Sequence, residues 1–155
     1  MTRRSNSLAQ RDIKNVLHPY TNIASHNDNG PTIITKGEGI YVYDEAGKKY
    51  MEGLSGLWCT SLGFNNKRLI EAANKAMRQL PFYHTFGSKS HPAAIALAEQ
   101  LIEMAPVPMS KVFFANSGSE ANDTAVKIIW YINNALGLEK KKKIIARKKS
   151  YHGVT

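Results

Sequence analysis

Apolar residues at Leu69, Ala73, Ala76, Met77 and Leu80 recur at the three- and four-residue spacing of one helical face, and Pro81 ends the run. A second helix is expected to start near Pro92, with the proline in its first turn. Its apolar face carries Ile95, Ala98, Leu101 and Ile102, and it stops before Pro106. In Lys111 to Ala115, Val112, Phe113 and Phe114 are apolar in a row, the pattern of a strand covered on both faces. A third helix is predicted from about Gly118 to Leu136, and a further strand over Ile144 to Arg147. Helix, strand, helix, strand is the alternation of a parallel α/β sheet.

The first third of the chain has a different texture. Thr32 to Lys36, Gly39 to Asp44 and Lys48 to Glu52 are short and β-prone, and Gly37-Glu38-Gly39 and Glu45-Ala46-Gly47 separate them, which predicts a small antiparallel meander. Glycines at 53, 56 and 63 flank Trp58, so this segment reads as a loop that admits close backbone approach. Residues 1 to about 31 are polar, contain His18-Pro19-Tyr20-Thr21 and show little periodicity, so an extended arm is expected there.

Composition changes this picture little. The chain has 155 residues, 43% hydrophobic and 21% charged, enough for one core and too few for two large domains. The net charge of +9 would suggest a nucleic-acid partner, but +6 of it lies between Glu139 and Lys149. A lysine run beside a helix end is a solvated loop whose charge complements the helix dipole, so no nucleic-acid partner is expected. Cys59 is the only cysteine, which excludes an intrachain disulfide and fits a reducing, cytoplasmic setting. His84 and His91 have no partners at metal-ligand spacing, and no metal is expected. No stretch approaches the ~20 apolar residues of a membrane span. Met1 to Gln10 carries Arg3 and Arg4 among serines without an apolar h-region; this excludes a secretory signal and leaves a mitochondrial presequence as the alternative.

Candidate chemistry lies at Val112 to Asn122. A strand is expected to end there, Asn116 and Ser117 to turn, and a helix to open with Gly118 and Ser119 in its first turn. Ser117 and Glu120 have capping-box spacing. Unpaired amides and the positive end of the dipole at such a point form an anion site, and Gly118 permits close approach while Ser119 adds a hydroxyl. A well-capped helix with no ligand would look the same locally. Context favours the site, because the next strand end carries Ser150-Tyr151-His152-Gly153, and ligands of parallel sheets sit beyond such ends. Tyr151 offers a flat ring and Gly153 a tight turn. Phosphate plus flat ring describes pyridoxal 5'-phosphate (PLP). His152 reads as a hydrogen-bonded turn residue in preference to a proton carrier.

Trp58, Phe82-Tyr83-His84-Thr85-Phe86, Asn116 to Asn122 and Tyr151-His152-Gly153, in this order and at these intervals, resemble class III aminotransferases, in particular the ω-amino acid or amine:pyruvate subgroup. The resemblance runs from about His18 to Thr155. It implies the α/β fold type I of PLP-dependent transferases in part: residues 1–56 as an arm and part of the small domain with its meander, and residues 57–155 as the start of the large PLP-binding domain with the first part of its parallel sheet. Gly118 and Ser119 match positions that bind the PLP phosphate, and Tyr151 matches the residue stacked on the pyridine ring. Tyr20 and Trp58 match residues lining the substrate pocket, and Phe86 one that reaches the pocket of the other subunit of a homodimer. The substrates implied are an amine or ω-amino acid donor and a keto-acid acceptor such as pyruvate.

Bland readings stand beside these: Trp58 as core, Phe86 as ordinary dimer interface. Tyr20 rests on the resemblance alone. In this family the lysine that links the cofactor and the aspartate that pairs with its ring nitrogen come well after the Tyr-His-Gly motif. None of the present lysines stands in the expected context, and Lys127 lies inside the helix that presents Ser119. The isolated chain is therefore expected to be inactive. The rival expectations are another fold type I enzyme, such as an aminomutase or the aminotransferase of biotin synthesis, and a non-catalytic fragment.

Overall fold

The computed structural model describes residues 7–155, and the chain divides into two units between Phe82 and Tyr83. The first contains α1 (Leu8–Asn15), α2 (Ile23–Asn29), a three-stranded sheet of β1 (Ile34–Glu38), β2 (Tyr41–Asp44) and β3 (Lys49–Met51), a short turn α3 (Ser55–Trp58) and α4 (Lys67–Gln79). The second holds a 3-10 turn at Phe86–Ser88, α5 (Pro92–Met104) and α6 (Gly118–Ala135).

The meander is present, with β2 central and antiparallel to both neighbours. Val42 on β2 is the one buried apolar residue among those described. Lysines lie over tyrosines across the strands, Lys49 Nζ standing 3.6 Å from the Tyr41 ring centroid, a cation–π contact. The β2–β3 turn is organised by Asp44, whose carboxylate accepts from the Tyr50 hydroxyl at 2.7 Å and from the amides of Ala46 and Lys48 at 2.9 Å. The Tyr50 hydrogen bond, then those of the backbone, hold the Asp44 carboxyl below its ordinary value of 3.8. A lowered acid contributes stability that is complete above its unfolded value and is lost as pH falls through the folded one. A carbon-13 NMR titration of the Asp44 carboxyl is expected to show a midpoint below 3.8, with the turn loosening only under more acidic conditions.

The arm is helical where the sequence predicts extended chain. Ser7 Oγ accepts from Gln10 N and caps α1, and Asn22 Oδ1 accepts from Ser25 N and caps α2. Caps supply what the weak periodicity of these short helices conceals. Residues 1–6 of the expected arm lie outside the described residues.

The segment after β3 holds more than a loop. Ser55, Gly56, Leu57 and Trp58 all have φ between 50° and 69°, a turn of left-handed helix. L-residues there cost roughly 1–2 kcal/mol each. Glu52 supports the turn, its carboxylate accepting from the amides of Leu54 at 2.8 Å and Gly56 at 2.5 Å. Its far end is pinned to the sheet by paired backbone hydrogen bonds between Gly39 and Phe64, and a Cβ on Gly37 would lie 2.6 Å from the Phe64 ring.

The periodic helices stand close to their predicted bounds. Asn66 caps α4, and His91 caps α5 ahead of the first-turn Pro92. Their apolar faces are largely open, with Met77 63% and Ile95 51% exposed. The two expected strands at 111–115 and 144–147 make no ladder among the described residues. A strand requires neighbours for its amides, and Phe113 at 68% exposure has nothing over it. The apolar faces thus have the composition of a core and the exposure of an interface.

Candidate functional site

The structure begins α6 where capping chemistry puts it. Ser117 is the N-cap, with φ −149° and ψ 162°, and its Oγ accepts from Glu120 N at 3.2 Å. Glu120 reaches back to accept from Asn116 N at 2.9 Å. This closes the capping box, one residue further back than the usual partner. The amides of Gly118 and Ser119 have no hydrogen-bond partner among the described residues, and a Cβ on Gly118 would meet nothing within 4 Å. Two free donors at the positive end of an 18-residue helix are therefore open to an anion.

The Tyr-His-Gly segment lies against this helix start. Val154 N donates to Ser119 Oγ at 3.1 Å, and Asn122 Nδ2 donates to the His152 carbonyl at 2.6 Å. Gly153 has φ 122°, and a Cβ there would fall 2.7 Å from Ser119 Oγ, so only glycine permits the approach. The structure thus brings the 151–154 segment beside Gly118 and Ser119, by clasps the sequence reading did not include. Asn122 was the discoverable one: three residues after Ser119, it occupies the same helical face. Ser119 Oγ accepts from Val154 and keeps its proton to donate. Tyr151 is 73% exposed, its ring free to cover a ligand. His152 engages through its carbonyl, as a turn residue does.

Phe86 stands elsewhere in the same unit. It opens the 3-10 turn, where its amide donates to His84 Nδ1 at 3.1 Å and His84 stacks on Tyr83 at 4.8 Å. It borders an open cleft of about 560 Å³ whose floor includes Ile95, Ala98, Val112 and Phe114. Tyr20 and Trp58 belong to the first unit, both at positive φ and 94% and 82% exposed.

The lysine run follows the C-terminal end of α6. Trp130 Nε1 donates to the Lys142 carbonyl at 3.0 Å and Asn133 Nδ2 to the Lys141 carbonyl at 2.9 Å, which holds the loop against the helix end. The positive charge accordingly follows the negative end of the dipole. No helix among the described residues is long and apolar enough to cross a membrane.

Comparison with known proteins bears on the same residues. The class-III aminotransferase family profile matches residues 22–155. Vanillin aminotransferase of Capsicum annuum is 55% identical over 141 residues, 90% of this chain and 30% of that protein. A chloroplastic gamma aminobutyrate transaminase of Solanum lycopersicum is 49% identical over 97% of this chain and 30% of its own length. Among solved structures, an omega transaminase of Pseudomonas jessenii in complex with PMP superposes with a TM-score of 0.93 at 62% identity, over 97% of this chain and 33% of that one. The chain thus spans about 30% of the length of the curated relatives it matches. The fold is α/β, that of the fold type I PLP-dependent transaminases in part. The chain belongs to the class-III aminotransferase family.

Proposed function

We propose that this chain supplies the phosphate-holding and ring-covering part of a PLP-dependent aminotransferase that moves an amino group from an amine or ω-amino acid to a keto acid such as pyruvate. The observation that carries the proposal is the pair of free amides at Gly118 and Ser119, closed on one side by Gly153. They would donate to the phosphate, Ser119 Oγ would supply a third donor, and Tyr151 would cover the pyridine ring. PLP, when bound, supplies the electron sink that the amino transfer needs. PMP in the Pseudomonas jessenii enzyme supports this cofactor.

Tyr20 and Trp58 line the substrate pocket in this proposal, and Phe86 reaches the pocket of the second subunit of a homodimer. A thermostable omega transaminase variant, W58G, 62% identical with a TM-score of 0.92 over 96% of this chain and 33% of that one, was engineered for asymmetric synthesis of enantiopure bulky amines. A tryptophan stands at position 58 here as well, on a strained and exposed turn suited to presenting a side chain to a ligand. The setting proposed is the cytoplasm, resting on the single exposed cysteine.

Holding an anion and linking a cofactor are separable, and the proposal assigns only the first to these residues. Lys127 stands eight residues beyond Ser119, about 12 Å along the helix. Titrating the purified chain with PLP tests the assignment by fluorescence. Saturable binding that inorganic phosphate displaces, with no stoichiometric borohydride-fixed adduct on one lysine, is the expected result. Binding that phosphate leaves unchanged would remove the basis of the proposal.

A further inference from the structure

The two helices of the arm bring three ligand-bearing side chains to one point. Asp12 lies on α1, His18 in the connection and His26 on α2. His18 Nε2 is 2.8 Å from Asp12 Oδ1, and His26 Nε2 is 3.3 Å from the same oxygen. The two imidazoles are 4.4 Å apart between centroids, and one ligand atom from each of the three residues falls within 4.8 Å of the others. The side chains of His26 and Asp12 are only 8% and 18% exposed, and that of His18 31%.

One of these atoms lacks a hydrogen bond. His26 Nε2 is buried, and its approach to Asp12 is misdirected for donation, so it has no hydrogen-bond partner. A buried ring nitrogen left in this way is destabilising unless something else takes its lone pair. Bonds of about 2.0–2.1 Å around tetrahedral zinc place neighbouring ligand atoms roughly 3.3 Å apart; the two contacts to Asp12 Oδ1 are 2.8 and 3.3 Å, and the third pair, within 4.8 Å, would close on the ion by side-chain rotation. Two imidazole nitrogens and one carboxylate oxygen suit zinc, whereas calcium and magnesium take oxygen ligands.

We propose that Asp12, His18 and His26 form a binding site for a divalent transition-metal ion of the zinc type, with a fourth position left to water. The site is independent of the phosphate-binding turn. Sequence spacing concealed it, because the ligands lie six and eight residues apart across two helices and their connection and match no short ligand motif. Its effect is structural: helices of 8 and 7 residues fall below the ~12–15 residues at which an isolated helix becomes even marginal in water. A shared ion would cross-link them and fix the intervening Pro19-Tyr20 turn.

The test is zinc titration of the full 155-residue chain at neutral pH against a chromophoric chelator, with cobalt as a spectroscopic substitute. One zinc per chain is expected. His26→Asn and Asp12→Asn should each weaken binding by more than about 100-fold, beyond the usual effect of losing an outer-shell partner, while Cys59→Ser and His84→Asn leave it unchanged. X-ray absorption of the zinc-loaded unsubstituted chain should show two imidazoles with oxygen and no sulfur, a readout that does not depend on variants folding. Absence of saturable binding, affinity unaffected by His26→Asn, or sulfur in the coordination shell would each overturn the proposal.

Discussion

Gly118→Pro should weaken PLP binding by about 10- to 150-fold while leaving α6 intact, because it removes one hydrogen bond to a charged group, worth about 1.5–3 kcal/mol. The substitution is unusually selective. Position 118 is the first helical residue, where proline is favoured and its missing amide is not needed by the helix. Ser117 already has the extended backbone that a residue before proline requires. A Cβ at 118 meets open space. Ser119→Asp goes further: a carboxylate in the first turn favours the helix through its dipole and can still accept from Val154, but it repels phosphate. Its binding should fall below detection. Isothermal titration with PLP, with circular dichroism to confirm helix content, measures both. Retained affinity in two well-folded variants would place the anion elsewhere, and Lys140 to Lys143 would be the first place to look.

Amine-dependent formation of alanine from pyruvate should proceed no faster with the purified 155-residue chain and added PLP than with PLP alone. Proton transfer by a positioned side chain contributes ~100- to 10,000-fold, and the proposal gives this chain no lysine to perform it. Lys127 is exposed along α6, and Lys140 to Lys143 follow its far end, remote from the free amides at its start. Turnover well above that of free PLP, abolished by substituting one of these lysines, would show that the catalytic base lies within this chain.

How far the sequence spoke depended on the range of the interaction involved. The capping box at Ser117 and Glu120, the start of α5 at Pro92 and the meander turns are decided within a few residues, and they stand where periodicity and turn chemistry place them. The segments around Val112 and Ile144 carry the composition of buried strands, but pairing is a property of the neighbours, and no ladder forms among the described residues. The helicity of the arm was hidden by its brevity, since α1 and α2 are each about two turns long and are set by their caps and not by a periodic apolar face. The left-handed turn at Ser55 to Trp58 was not legible, because only one of its four residues is glycine and its support comes from Glu52. Within the candidate site the phosphate-facing amides were legible from Ser117 to Glu120, whereas the clasp of Asn122 on residue 152 spans 30 positions that no local pattern links.

Amide NMR at the start of α6 tests the central claim most directly. On titration with PLP, and separately with inorganic phosphate, the Gly118 and Ser119 amide signals should move first and furthest downfield, as hydrogen bonds to an anion require, with the Tyr151 ring signals responding to PLP alone. Shifts confined to Lys140 to Lys143, with Gly118 and Ser119 unmoved, would contradict the account.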